Sequence, residues 1–161
     1  MKKQPPDQIQ VFGRKYQVKP RFHPQQKAGV KIEGDHLIIN PTNPKPELAL
    51  SELNRFLKTT ATKYITTRTA QLAAKMKTNF NRITIRQQKT RWGSCSSKQN
   101  LNFNWRLVHF PPQVIDYVII HELAHLKEMN HSTRFWQLVR TFDPDFPKHK
   151  GYLKRNGIQL D

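Results

Sequence analysis

His121-Glu122-Leu123-Ala124-His125 sets two imidazoles four residues apart, with a carboxylate directly after the first. On a helix turning about 100° per residue, positions 121 and 125 differ by only about 40°, so both rings project from one face toward a single ion. Glu122 falls about 100° round from His121, beside the pair, within reach of a water that the ion activates. His131 follows His121 by ten positions, past the expected helix end, and Asn130 is suited to the left-handed turn that brings the chain back. Three neutral imidazoles leave the fourth position of a tetrahedral Zn2+ open, which catalysis requires. The chemistry expected is zinc-dependent hydrolysis, with His121, His125 and His131 as ligands and Glu122 as general base. Glu128 is an alternative third ligand, although helix-end glutamates are ordinarily solvated. Cys95 is read as a buried structural thiol in preference to a ligand, and Arg91 and Tyr152 are candidate oxyanion partners.

These side chains need elements to hold them. Pro111-Pro112 opens a helix expected to run to about Met129, whose apolar residues Ile115, Ile119, Leu123 and Leu126 border the ligand face. A second helix is expected from Thr133 to Arg140, capped by Ser132 and ended by Asp143-Pro144-Asp145. Arg82–Arg86 and Leu101–Arg106 alternate apolar and polar residues strictly, and the turn-rich stretch between them suggests an antiparallel hairpin with a long loop. Upstream, Asn43-Pro44 reads as a cap and first helical residue. Leu50, Leu53, Leu57, Ala61 and Tyr64 then mark one face of a long helix reaching about Lys77. Ile9–Lys19 and Gly29–Asn40 read as short strands and hairpins. The expected organisation is therefore N-terminal hairpins over residues 1–42, packed on the same domain as residues 43–161.

Composition narrows the setting. The 161 residues suit one compact domain, and no run is apolar enough for a membrane span. Met1–Asp7 is followed by no apolar signal core, and a lone Cys95 excludes an internal disulfide framework, so a cytoplasmic protein is expected. The net charge is +17, and between Leu53 and Ile115 twelve basic residues meet no acidic one. That stretch could attract a polyanion, nucleic acid or nucleotide, or could simply keep the protein soluble. Trp92, Phe103, Trp105, Phe135 and Trp136 are read as packing residues more than as base-stacking platforms.

Three blocks together carry a family resemblance: Arg91-Trp92-Gly93-Ser94-Cys95-Ser96, the stretch from Asp116 to Leu126, and Asn130-His131-Ser132 with Phe135-Trp136. In combination they resemble the YgjP-like family of zinc metallopeptidases, related to SprT and WLM domains. The resemblance implies a small zincin-like α+β fold, with an antiparallel sheet and a long N-terminal helix packed with the active-site helix. It implies the same ligands and base, and a peptide or protein substrate. Two alternatives stay open: a metal-dependent nucleotide pyrophosphatase, and a nucleic-acid-associated protease. The oligomeric state is not specified by the sequence.

Overall fold

The computed structural model describes residues 3–156, and the chain divides into two compact units. One runs to Thr60 and includes Val108–Pro111; the other comprises Ala61–Leu107 and the chain from Pro112 on.

In the first unit, β1 (Gln8–Val11), β2 (Arg14–Pro20), β3 (Gly29–Glu33) and β4 (His36–Asn40) form a sheet of order β1-β2-β4-β3. Both expected hairpins form: β1 with β2 and β3 with β4 are antiparallel, while β2 and β4 pair in parallel. Phe12 and Gly13 turn the first hairpin with φ of 51° and 80°, the positive pair that a tight hairpin turn demands. Alternation along the strands buries Val11, Tyr16, Val18, Leu37 and Ile39. Asn40 holds the long loop before β3, donating from its side-chain amide to the carbonyls of His23, Gln26 and Lys27.

Helix α1 spans Pro46–Met76 and crosses from the first unit to the second. It starts two residues later than expected. Asn43 Oδ1 accepts from the Lys45 amide in a local turn, the Lys45 carbonyl receives the first helical bonds, and Pro46, not Pro44, takes the opening position. The buried stripe is Ala49, Leu53, Leu57, Ala61, Ile65, Thr69, Leu72, Ala73 and Met76. Ile65, not Tyr64, is the buried member, and a threonine at position 69 hides the apolar rhythm from the sequence. At the C-terminus Lys77 adopts a φ of 53°, while the amides of Lys77 and Thr78 bond the carbonyls of Ala74 and Ala73. This is a Schellman closure with lysine where glycine is usual.

The second unit holds β5 (Arg82–Arg86), β6 (Gly93–Cys95) and β7 (Asn100–Asn104) in the order β5-β7-β6. The expected antiparallel hairpin between the first and last of these does not exist: β5 and β7 are parallel. The intervening loop contains β6, which pairs antiparallel with β7 through a tight Ser96–Gln99 turn and leaves β5 the far side of β7. The last strand also stops at Asn104, because Asn104 Oδ1 accepts from the Arg106 amide and winds Trp105–His109 into a 3-10 helix. Helices α2 (Pro112–Ala124), α3 (Thr133–Phe142) and α4 (Phe146–Arg155) follow. α4 was not expected; it begins directly after Asp143-Pro144-Asp145, the stretch read as a terminator, with Pro147 in its first turn. α2 packs against α3, α4 and β6 and is buried over nearly its whole length. The fold is α+β with mixed sheets. Among the described residues no helix is long and apolar enough to cross a membrane.

α1 and α2 are joined by an ion pair in which Arg68 Nε and Nη2 donate to the two oxygens of Asp116, each at 2.8 Å. This bond raises the Arg68 guanidinium further above its usual value, while burial and then the Asp116 charge push the Tyr64 phenol up. Two parallel charge-assisted bonds fix the roll of α2 better than an exposed pair would. Asp116→Asn should therefore lower stability by about 1–3 kcal/mol, read as a shift in the urea midpoint. An unmoved midpoint would show that the pair is solvated in both states.

Candidate metal centre

The residues of α2 that face its neighbours are apolar, and the polar exceptions gather at its end. His121 and His125 are 2% and 3% exposed and Glu122 is fully buried. The helix closes at Ala124, five residues before the expected end at Met129. From there the Leu126 and Lys127 amides bond carbonyls three residues back, and Glu128 bonds Ala124. The last turn is thus tightened. His125 stands just past the helix but keeps its bond to the His121 carbonyl at 3.4 Å, so the two rings stay on one face. Lys127 anchors the turn by donating to the Met76 carbonyl at 3.0 Å, at the electronegative end of α1.

His131 is placed by α3. Ser132, the expected cap, accepts from the Phe135 amide at 3.3 Å, so His131 immediately precedes a fixed helix start. Phe135, fully buried, lies under all three histidines, its ring centre 4.9, 4.5 and 4.9 Å from those of His121, His125 and His131. Trp136 covers His121 and His131 from the side, each at 5.8 Å. These two aromatics serve packing, as their sequence context suggested.

The three imidazoles each present one ring nitrogen within 4.8 Å of the other two. Nε2 of His131 and Nε2 of His121 lie 3.2 Å apart. Two nitrogens bound to one tetrahedral zinc at about 2.0–2.1 Å would be separated by about 3.3 Å, so the spacing matches a shared ion. His125 Nδ1 lies 3.1 Å from the Glu128 carbonyl oxygen. A proton on Nδ1 donated to that carbonyl leaves the lone pair on Nε2, the tautomer a metal ligand needs. Glu128 thus enters through its backbone; its carboxylate is not part of the group. His131 alone of the three is exposed, so the cluster is open on that side.

The Glu122 side chain lies against Gly93 of β6. A Cβ built on Gly93 would stand 3.0 Å from Glu122 Cγ and 3.1 Å from Oε1. The glycine of the Trp92-Gly93-Ser94-Cys95 block therefore abuts the carboxylate that the helix presents. Cys95, two residues on, is half-buried, not buried, and does not belong to the histidine group. Arg91 is exposed in the loop before β6, and Tyr152 sits half-buried in α4 beside Arg155. His23, His36 and His109 lie in the first unit and do not belong to the group. Sequence spacing did not single out the neighbourhood of Tyr117. Its ring centre lies 6.0 Å from His121 and 6.4 Å from His149, whose Nδ1 meets Asp143 Oδ2 at 2.7 Å. The one available cue was a tyrosine one turn before His121.

The sequence matches the family described as YgjP-like, metallopeptidase domain over residues 1–156. Among solved structures, the metallopeptidase zymogen abylysin of Pyrococcus abyssi is similar with a TM-score of 0.55 at 18% identity, over 60% of this chain and 99% of that one. The metallopeptidase zymogen jannalysin of Methanocaldococcus jannaschii is similar with a TM-score of 0.52 at 23% identity, over 57% and 95% respectively. At these identities the likeness speaks to the fold. Comparison with curated proteins finds no match.

If Phe135 is the floor on which the imidazoles rest, Phe135→Ala should cost about 3–5 kcal/mol in chemical denaturation. It should also weaken metal retention, measured by competition with a chelator. A variant that lost stability but held metal as tightly as before would show that the rings are positioned by α2 and the 125–131 turn alone.

Proposed function

The chain belongs to the YgjP-like metallopeptidase domain family, and from that membership we propose that it cleaves peptide bonds with Zn2+ held by His121, His125 and His131 and with Glu122 as general base. The observation that carries the reading is the cluster of three ring nitrogens within 4.8 Å of one another beside a fully buried glutamate. A bound zinc ion would supply Lewis acidity, polarising the scissile carbonyl and acidifying a water. The chain's own residues do the rest. The Glu128 carbonyl keeps His125 in the ligating tautomer, and the buried, aromatic floor keeps water from the back of the site. Glu122 accepts a proton from the attacking water and returns it to the leaving amine. β6 is one of the two edge strands of its sheet, so an extended peptide can align along Gly93–Cys95 next to Glu122, adding a strand through backbone hydrogen bonds. The exposed side of His131 is the route by which it arrives.

We further propose a cytoplasmic setting, consistent with the single free cysteine. The charge is assigned to a polyanion: Arg82 and Arg86 are both exposed on one face of edge strand β5, in a stretch free of acidic residues. Binding to single-stranded DNA or RNA should then weaken at least tenfold between about 50 and 200 mM salt, measured by fluorescence anisotropy. No binding at the lower salt leaves the charge as a solubility device.

Zinc and catalysis are separated by two measurements on purified protein. Metal analysis should find about one zinc per chain, lost in His121→Ala and His125→Ala and weakened in His131→Ala. Glu122→Gln should keep its zinc and its melting temperature while hydrolysis of unfolded peptides falls by about 10² or more, with nucleotides assayed in parallel. Zinc lost from Glu122→Gln would make Glu122 a ligand. Full activity in that variant would remove it as the base, and phosphate release without peptide cleavage would replace the substrate class.

A further inference from the structure

We infer that Gly93 is a positioning residue for Glu122: it gives the carboxylate a slot against the backbone of β6 that any side chain at position 93 would close. The inference rests on Glu122 as the general base proposed above.

Glycine is not required at 93 by the backbone. Among the described residues the glycines with positive φ are Gly13, Gly29 and Gly34; Gly93 lies in an ordinary strand, paired opposite Phe103, where any residue can adopt the conformation. What the position excludes is a Cβ. That atom would sit 3.0 Å from Glu122 Cγ, 3.1 Å from Oε1 and 3.3 Å from Cδ, all inside ordinary van der Waals contact. A glycine inside a strand commonly marks such a close approach.

Neither partner can retreat. Glu122 is fully buried on α2 between Ile119 and Leu123, which are fully buried too. β6 is tied at its entrance, because the Asn104 amide donates to the Trp92 carbonyl at 2.9 Å. The Asn104 side chain, also fully buried, donates to the carbonyls of Gln88 and Arg91 at 2.9 and 3.2 Å. The loop leading into Gly93 is therefore clamped from β7, and an added methyl group must displace the carboxylate itself. Displacing a base by a few tenths of an ångström or more lengthens the proton transfer it performs and costs rate without touching the metal ligands. Because β6 is also the strand proposed to align the peptide, Gly93 ties the substrate's register to the position of the base.

The test is Gly93→Ala in two backgrounds, wild type and Glu122→Ala, with zinc content, melting temperature and peptide kinetics measured for each. Expected in the wild-type background are about one zinc per chain, KM within about twofold, and kcat at least tenfold lower. The melting temperature should fall in the wild-type background and stay level in Glu122→Ala, where the side chain that meets the new methyl is gone. If Gly93→Ala alone does not fold, recovery of a folded protein in the double variant supports the contact and its absence overturns it. Equal melting-temperature losses in both backgrounds would overturn the inference, as would wild-type kcat in Gly93→Ala when Glu122→Gln is inactive. Full activity in Glu122→Gln instead discards the general-base reading, and the melting-temperature comparison still decides the packing.

Discussion

Three imidazoles packed on one phenyl ring are the constraint around which the second unit is organised. Phe135 can lie under His121, His125 and His131 only if α3 starts at a fixed place above the end of α2. Ser132 fixes that start by capping, and the tightened turn after Ala124 brings the chain round within six residues. Lys127, bonded to the last carbonyl of α1, stops the turn from unwinding. Each is a small local effect. Together they bring one ring nitrogen of each histidine within 4.8 Å of the other two.

Burying this much polarity carries a free-energy cost that apolar packing must offset. Two histidines and a glutamate sit almost without solvent at the end of a helix whose other buried residues are Val, Ile, Leu, Ala and Tyr. Under the proposed function the arrangement would trade stability for activity, as sites that need low dielectric and fixed tautomers generally do. The Arg68–Asp116 pair, one turn and more upstream, holds α2 against rotation and so contributes to the site without touching it.

The same economy is visible in β6, a strand of three residues. Its position is set by β7 on one side and by the buried Asn104 side chain at its entrance, and its glycine lets the backbone meet Glu122 directly. Under the proposed function, such an edge strand would serve as a wall of the site and as a template for an extended ligand.

Much of this was legible in the sequence because it is local. Two histidines four apart share a helix face by geometry alone, and serine before Thr133 caps by reaching three residues on. Strands β5 and β7 betray themselves by alternation, and the hairpins of the first sheet by their glycines. What the sequence could not specify is non-local or depends on competition. Alternation says that Arg82–Arg86 and Asn100–Asn104 are strands but not that they run parallel, since that depends on β6 taking the other edge of β7. Periodicity could not end α2 at Ala124, because the residues that follow are compatible with helix and only the tether to Met76 and the bond between His125 and Glu128 decide otherwise. The meeting of Gly93 with Glu122 belongs to the tertiary structure, because no spacing along the chain encodes which strand will be laid against which helix.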